Sequence, residues 1–197
     1  MTMTSGTLYM IANGTTHNTG TGTISATTTA LTGSGTQFAT ELYTGAVITA
    51  AGQTLAIASV TDGDEATLQT APSTPLSGAA FEIYPLLNLS NVNLRIPHPR
   101  STFKQWQAKI MLGNGLARGV GRPSCSWQWG FITAAQYDLL RAIVSNTSAR
   151  CYIRTRTTEV NDSYKTYSAV GLWPDEVNRD ATRRVGFSIE FRDLVLL

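Results

Sequence analysis

Strict period-two alternation, in short runs cut by turn residues, is the feature that most constrains what this chain can fold into. In Ser124–Phe131 the apolar positions are Cys125, Trp127, Trp129 and Phe131, with Ser124, Ser126 and Gln128 between them. In Arg183–Val195, Val185, Phe187, Ile189 and Phe191 alternate with Ser188, Glu190 and Arg192. Phe103–Leu112 sets Trp106, Ala108, Ile110 and Leu112 against Gln105, Gln107 and Lys109. Successive side chains of a strand point to opposite faces, so each run is expected to bury one face and wet the other. The fold class expected is mainly β, in two domains: a small N-terminal β-barrel or sandwich, and a C-terminal β-sandwich with one packed α-helix.

The first half carries the shorter runs, at Thr23–Leu31, Ala46–Ala50, Gln53–Val60, Glu65–Thr70 and Ala80–Leu86. Gly33-Ser34-Gly35, Ala51-Gly52, Asp62-Gly63 and the stretch from Pro72 to Gly78 separate them. Turn signals every ~8–12 residues among β-branched residues read as a small all-β unit. Only Gln37–Leu42 suggests a helical turn. The one full helix is expected after Thr133, which forms a capping box with Gln136. Tyr137, Leu140, Ile143 and Val144 give it an apolar stripe of helical period, ending near Asn146. Further strands are expected at Arg150–Arg156 and Tyr164–Trp173. The domain reading is an arm over 1–20 that orders on docking with a neighbour, a small all-β module over 21–87, a linker over 88–102, and a sandwich plus helix over 103–197. Pro97 and Pro99 keep the linker extended.

Charge follows the same division. Residues 1–90 hold five acids and no Lys or Arg, whereas residues 91–197 hold all fifteen basic residues, eight acids and all four Trp. The formal charges are −5 and +7, which the whole-chain value of +2 conceals. Such asymmetry bears on partners rather than on fold, and suits a part that stacks acid face to basic face. No run reaches the ~18–20 apolar residues of a membrane span. The opening MTMTSGTLYMIANGTT lacks the basic and long apolar segments of a secretory signal, so synthesis in a cytoplasm is expected.

No catalytic constellation, metal site or cofactor motif is read from the residues. The two histidines, His17 and His98, have no supporting motif, and Pro97-His98-Pro99 reads as surface linker. The run Thr61-Asp62-Gly63-Asp64-Glu65-Ala66 lacks the spacing of a calcium loop and reads as a hairpin turn. Cys125 and Cys151 read as buried thiols on neighbouring strands, with a disulfide as the alternative. The most pointed surface feature is Arg150, Tyr152, Arg154 and Arg156 on one face of a strand. Arg183 and Arg184 (with Arg118 and Arg122) are candidates for the same electropositive zone. Arginines so placed serve a subunit interface, pairing with a neighbour's carboxylates, or simply a solvated face. Phosphate neutralisation is the other use, and the interspersed acids and missing nucleic-acid motif weigh against it.

From 103 to 197 the order of features is a strand, the turn Leu112-Gly113-Asn114-Gly115, the aromatic strand SCSWQWGF, the helix TAAQYDLLRAIV, the Arg-rich strand CYIRTR and the closing strand VGFSIEFRDL. This order resembles the ring-forming domain of distal tail proteins and related minor tail proteins of long-tailed bacteriophages. Leu-Gly-Asn-Gly stands where that family often has an aromatic-Gly-Asp-Gly turn. The first half is similar to small β modules of phage virion proteins, through GSGTQF, the strand after Gly45 and IASV. The resemblance implies a non-enzymatic tail component of the virion. Copies would close into a ring, expected sixfold, joining the tail tube to the hub and receptor-binding apparatus. The implied partners are other copies and neighbouring tube, hub, receptor-binding or tape-measure proteins. Another virion role (tail tube, tail terminator or head decoration) and a carbohydrate-binding attachment module are the alternatives.

Overall fold

The computed structural model describes residues 9–89, 96–144, 147–157, 163–180 and 182–197. The chain is mainly β, as alternation requires. It opens with β1 (Met10–Asn13). Eight short strands follow: β2 (Asn18–Thr19), β3 (Thr23–Ala26), β4 (Ala30–Ser34), β5 (Val47–Ala50), β6 (Gln53–Val60), β7 (Glu65–Leu68), β8 (Leu76–Ala79) and β9 (Phe81–Tyr84). A single helical turn, α1 (Phe38–Glu41), lies between β4 and β5 where one was expected. These strands hydrogen-bond in the order β2-β9-β5-β6-β7-β4-β3-β8. The sheet curls around Ile24, Leu31, Phe38, Ile48, Ile57, Leu68 and Phe81, all buried. The expected run Thr23–Leu31 is two strands. β8 occupies a stretch read as loop, because Leu76 is apolar enough to pair with Ala26 and enter the core.

The rest of the chain supplies β10 (Leu87–Asn88), β11 (Arg100–Lys104), β12 (Ala108–Met111), β13 (Ala117–Val120), β14 (Ser124–Gln128) and β15 (Phe131–Thr133). Helix α2 (Ala134–Ile143) comes next, then β16 (Ser148–Arg156), β17 (Tyr164–Leu172), β18 (Asn178–Asp180), β19 (Arg183–Val185) and β20 (Ser188–Leu196). The seven-stranded sheet runs β10-β1-β16-β17-β20-β14-β11. Strands β15, β19 and β18 form a small three-stranded sheet, and β12 pairs with β13 alone. The capping box forms as read: Thr133 N donates to Gln136 Oε1 (2.9 Å) and Gln136 N to Thr133 Oγ1 (3.3 Å). Leu140 and Val144 then bury against Trp127, Trp129, Phe187, Ile189 and Phe191. The expected helix end at Asn146 lies outside the described residues.

Two expectations about connections are corrected. From Met10 onward the expected arm is an inner strand of the seven-stranded sheet: Met10–Asn13 pair with Arg154 to Cys151, and Met10 and Ile11 also pair with Asn88 and Leu87. Its apolar residues Met10, Ile11 and Ala12 are buried, so the chain itself provides the dock. The expected linker is likewise packed down. Ile96 is in the core, Pro97 O accepts from Trp129 Nε1 (2.7 Å), and Arg100 already pairs in β11.

The eight-stranded sheet leans on the seven-stranded one. Met10, Ala12, Tyr152 and Leu197 pack against Val47, Ala56, Tyr84 and Leu86. Gln69 closes this junction with three hydrogen bonds. Its Nε2 donates to Thr166 O (2.9 Å) and Leu197 O (2.7 Å), and its Oε1 accepts from Thr166 N (2.9 Å).

Candidate functional site

Alternation places the arginine strand. Residues 150, 152, 154 and 156 of β16 share one sheet face, and Cys151, Ile153 and Thr155 share the other. Cys151 and Ile153 enter the aromatic core. The arginine face is therefore the one that meets the eight-stranded sheet. Tyr152 is buried there with its ring edge-on to Tyr84, 4.8 Å between centroids. Arg154 is 9% exposed; its stem lies over Gly45, and Nη1 donates to Thr166 Oγ1 (3.3 Å). Its Nε has no hydrogen-bond partner, and burial lowers the guanidinium pKa. Of these four residues of β16, only Arg150 and Arg156 are exposed.

Arg183 and Arg184 lie across the sheet on the helix side. The Arg183 guanidinium sits over Phe131 (4.9 Å) and that of Arg184 over Tyr137 of α2 (5.1 Å). The six residues therefore form no single patch. The strand read as a surface between copies is, at Tyr152 and Arg154, a surface within one chain. Sequence alternation distinguished the two faces of β16 but could not say that both would be covered.

The cysteines are both free and buried. β20 and β17 lie between their strands, so they are not on neighbouring strands as read. Burial pushes the Cys151 thiol from 9.0 up to about 12, and pushes the Cys125 thiol up as well. Neither is poised as a nucleophile. The folded chain is expected to resist a thiol-specific reagent at pH 8 and to expose both thiols only in denaturant. Because the folded pKa values are raised, their contribution to stability is complete below about pH 8.5, where unfolded thiols are also neutral, and declines as pH rises towards 12. Urea titrations across that range check this.

The unexpected surface is the β12–β13 hairpin. Its register sets Ala108 against Val120, Ile110 against Arg118 and Met111 against Ala117. The turn closes with Leu112 N donating to Leu116 O (2.8 Å), and Gly115 takes φ 79°, the left-handed position such a three-residue loop needs. Ile110, Leu112 and Leu116 fall on one face; Met111 falls on the other, with Lys109. Trp106 lies over Gly119, on the Lys109 face, because residues 105–107 do not continue a strand. Trp106 is thus not on the Ile110 face, as alternation had it. All five apolar side chains are exposed, Met111 at 72% and Leu116 at 63%. Ile110-Met111-Leu112 carried the signal: three consecutive apolar residues cannot all face one core.

A second small surface has a similar origin. Phe131 and Val185, both expected inside, are cross-strand partners in the three-stranded sheet and are exposed at 51% and 41%. The chain breaks at Gly130 and Gly186, which hydrogen-bond to each other (Gly186 N to Gly130 O, 2.9 Å), and the alternation restarts out of phase beyond them.

Among the described residues no group of three or more His, Cys, Asp or Glu side chains could hold a metal ion, and no helix is long and apolar enough to cross a membrane. The Asp62–Glu65 run is a tight turn: Asp62 Oδ1 accepts from Asp64 N (3.0 Å) and Glu65 N (2.8 Å). No protein-family model, curated protein or solved structure matches the chain.

Proposed function

We propose that this chain is a non-enzymatic structural subunit of a bacteriophage tail, whose copies close into a ring at the tail tip or baseplate. The observation that carries the reading is the exposed β12–β13 hairpin, apolar on both faces and paired with no third strand among the described residues. An isolated two-stranded hairpin is marginal in water, and free strand edges invite pairing with another chain. Burying each of these large side chains contributes about 1.5–3 kcal/mol, enough together to offset the cost of bringing copies together. A bilayer fits less well, because it would leave the free backbone edges without partners. Other copies can cover the faces and pair the edges at once, and head-to-tail repetition closes a ring.

The two-domain division belongs to this reading. The acidic first module would project or dock on the next tail protein, and the basic second domain would build the ring that joins tube to hub. A tail-tube subunit would use the same hairpin. Copy number per particle separates the two, since tube subunits are abundant.

Light scattering on the purified protein tests the proposal. The native chain is expected to run as a closed ring of about six copies, by resemblance. The triple variant Ile110→Asp, Leu112→Asp, Leu116→Asp is expected to run as a monomer with an unchanged thermal midpoint, because surface substitutions away from the core usually cost under ~0.5 kcal/mol. A variant that assembles fully would remove the hairpin from the interface. A native chain that stays monomeric at every concentration and salt would sink the self-assembling ring.

A further inference from the structure

The alternation of β20 is interrupted at one place, and the interruption meets the root of the hairpin. Ile189 and Phe191 point into the core, so an unbroken strand would send Asp193 inward after them. Instead the register against β17 slips between Ser168 and Val170, Asp193 takes φ 54°, and Leu194 enters the core in its place. This is a β-bulge, which keeps a carboxylate out of the aromatic core. Asp193 is left exposed, its Oδ1 accepting from Gln107 Nε2 (3.2 Å). The next amide, Leu194 N, donates to Pro123 O (3.0 Å).

Gln107 immediately precedes β12, and Pro123 follows β13 by three residues. Two adjacent residues of one bulge therefore hold both legs of the hairpin. The legs also close on each other there: Gln107 N donates to Val120 O (3.0 Å), and Gly121 leaves no room for a side chain beside Gln107. We infer that the Asp193 bulge is the device that aims the hairpin, with Asp193 and Gln107 as positioning residues for assembly. The assembly role rests on the proposed function above; the aiming does not. Bulges commonly redirect what lies next to them, and a ring closes only if every copy presents its arm at the same angle.

Three variants separate anchoring from backbone strain. Asp193→Asn keeps an acceptor oxygen, and Asn tolerates the left-handed conformation. Asp193→Gly removes the acceptor and favours that conformation. Gln107→Ala removes the donor from the other side. Spin labels on Asn114→Cys at the tip and Asp175→Cys on the body report the hairpin's angle, and Cys125 and Cys151 are buried. A single narrow distance is expected in the parent and in Asp193→Asn. Asp193→Gly and Gln107→Ala should broaden it, and should raise the concentration needed for assembly roughly 3- to 10-fold, the worth of one hydrogen bond.

An unchanged distance in both variants would overturn the aiming role. A broadened distance with unchanged assembly would overturn its part in ring closure. A parent chain that never assembles would sink the ring reading itself, and the label distances would still decide whether the bulge aims the hairpin.

Discussion

Replacing Trp127 by alanine is expected to destabilise the fold by about 3–5 kcal/mol, the usual cost of emptying a core tryptophan site. Trp127 is 0% exposed and lies at the centre of the aromatic core. Its ring meets Phe191 at 4.7 Å, Tyr9 at 5.5 Å and Trp129 at 6.3 Å, each nearly edge-on. Its Nε1 donates to Thr155 Oγ1 (3.0 Å), so truncation also leaves a buried hydroxyl without that partner. Domains of this size are stable by roughly 5–15 kcal/mol, so the loss is a large share of the whole. Urea denaturation measures it. Trp127→Phe retains most of the volume but still leaves the Thr155 hydroxyl without that partner, and should lose about 1–3 kcal/mol. A loss under ~1 kcal/mol for the alanine variant would mean that this indole does not organise the core.

Arg154→Glu is expected to cost about 3–5 kcal/mol, because it places a carboxylate at a buried junction with no cation to meet it. Among the described residues no carboxylate pairs with Arg154, and its one hydrogen bond goes to a hydroxyl. Charge reversal here therefore acts on folding before it acts on assembly. Arg154→Met discriminates between charge and packing. It keeps the stem over Gly45 and removes the unpaired guanidinium, and it should be neutral or stabilising. If Arg154→Met destabilises as much as Arg154→Glu, the guanidinium has a partner that matters. Arg156→Glu, at an exposed position, should change the midpoint little.

Local chemistry made much of the fold legible. The helix start at Thr133 was readable because a capping box involves only four consecutive residues. The tight turns at Asp62 and Gly115 were readable for the same reason. Strands Gln53–Val60 and Val47–Ala50 stood out through β-branched content between turn residues. Trp127 and Trp129 were rightly placed inside.

What failed depended on the far side of each sheet. Phe131 and Val185 lie beyond breaks whose only signal is a lone glycine. Trp106, Ile110 and Leu112 showed a patterned face, but a pattern does not say whether anything covers it. Met10–Asn13 found partners some 140 residues away, at Arg154 to Cys151. Pairing across that distance leaves no local trace.

By itself, then, the sequence determined the mainly β class, the capped helix, the tight turns at Asp62 and Gly115 and the buried side of Trp127, Ile189 and Phe191, because these follow from backbone geometry and neighbouring residues. The tertiary structure alone decided that the arginine face is an internal junction, that the first strand belongs to the last sheet, and that an apolar hairpin stands uncovered. Those outcomes depend on which surfaces meet, and that is settled by the sum of burial over the whole chain rather than by any local run.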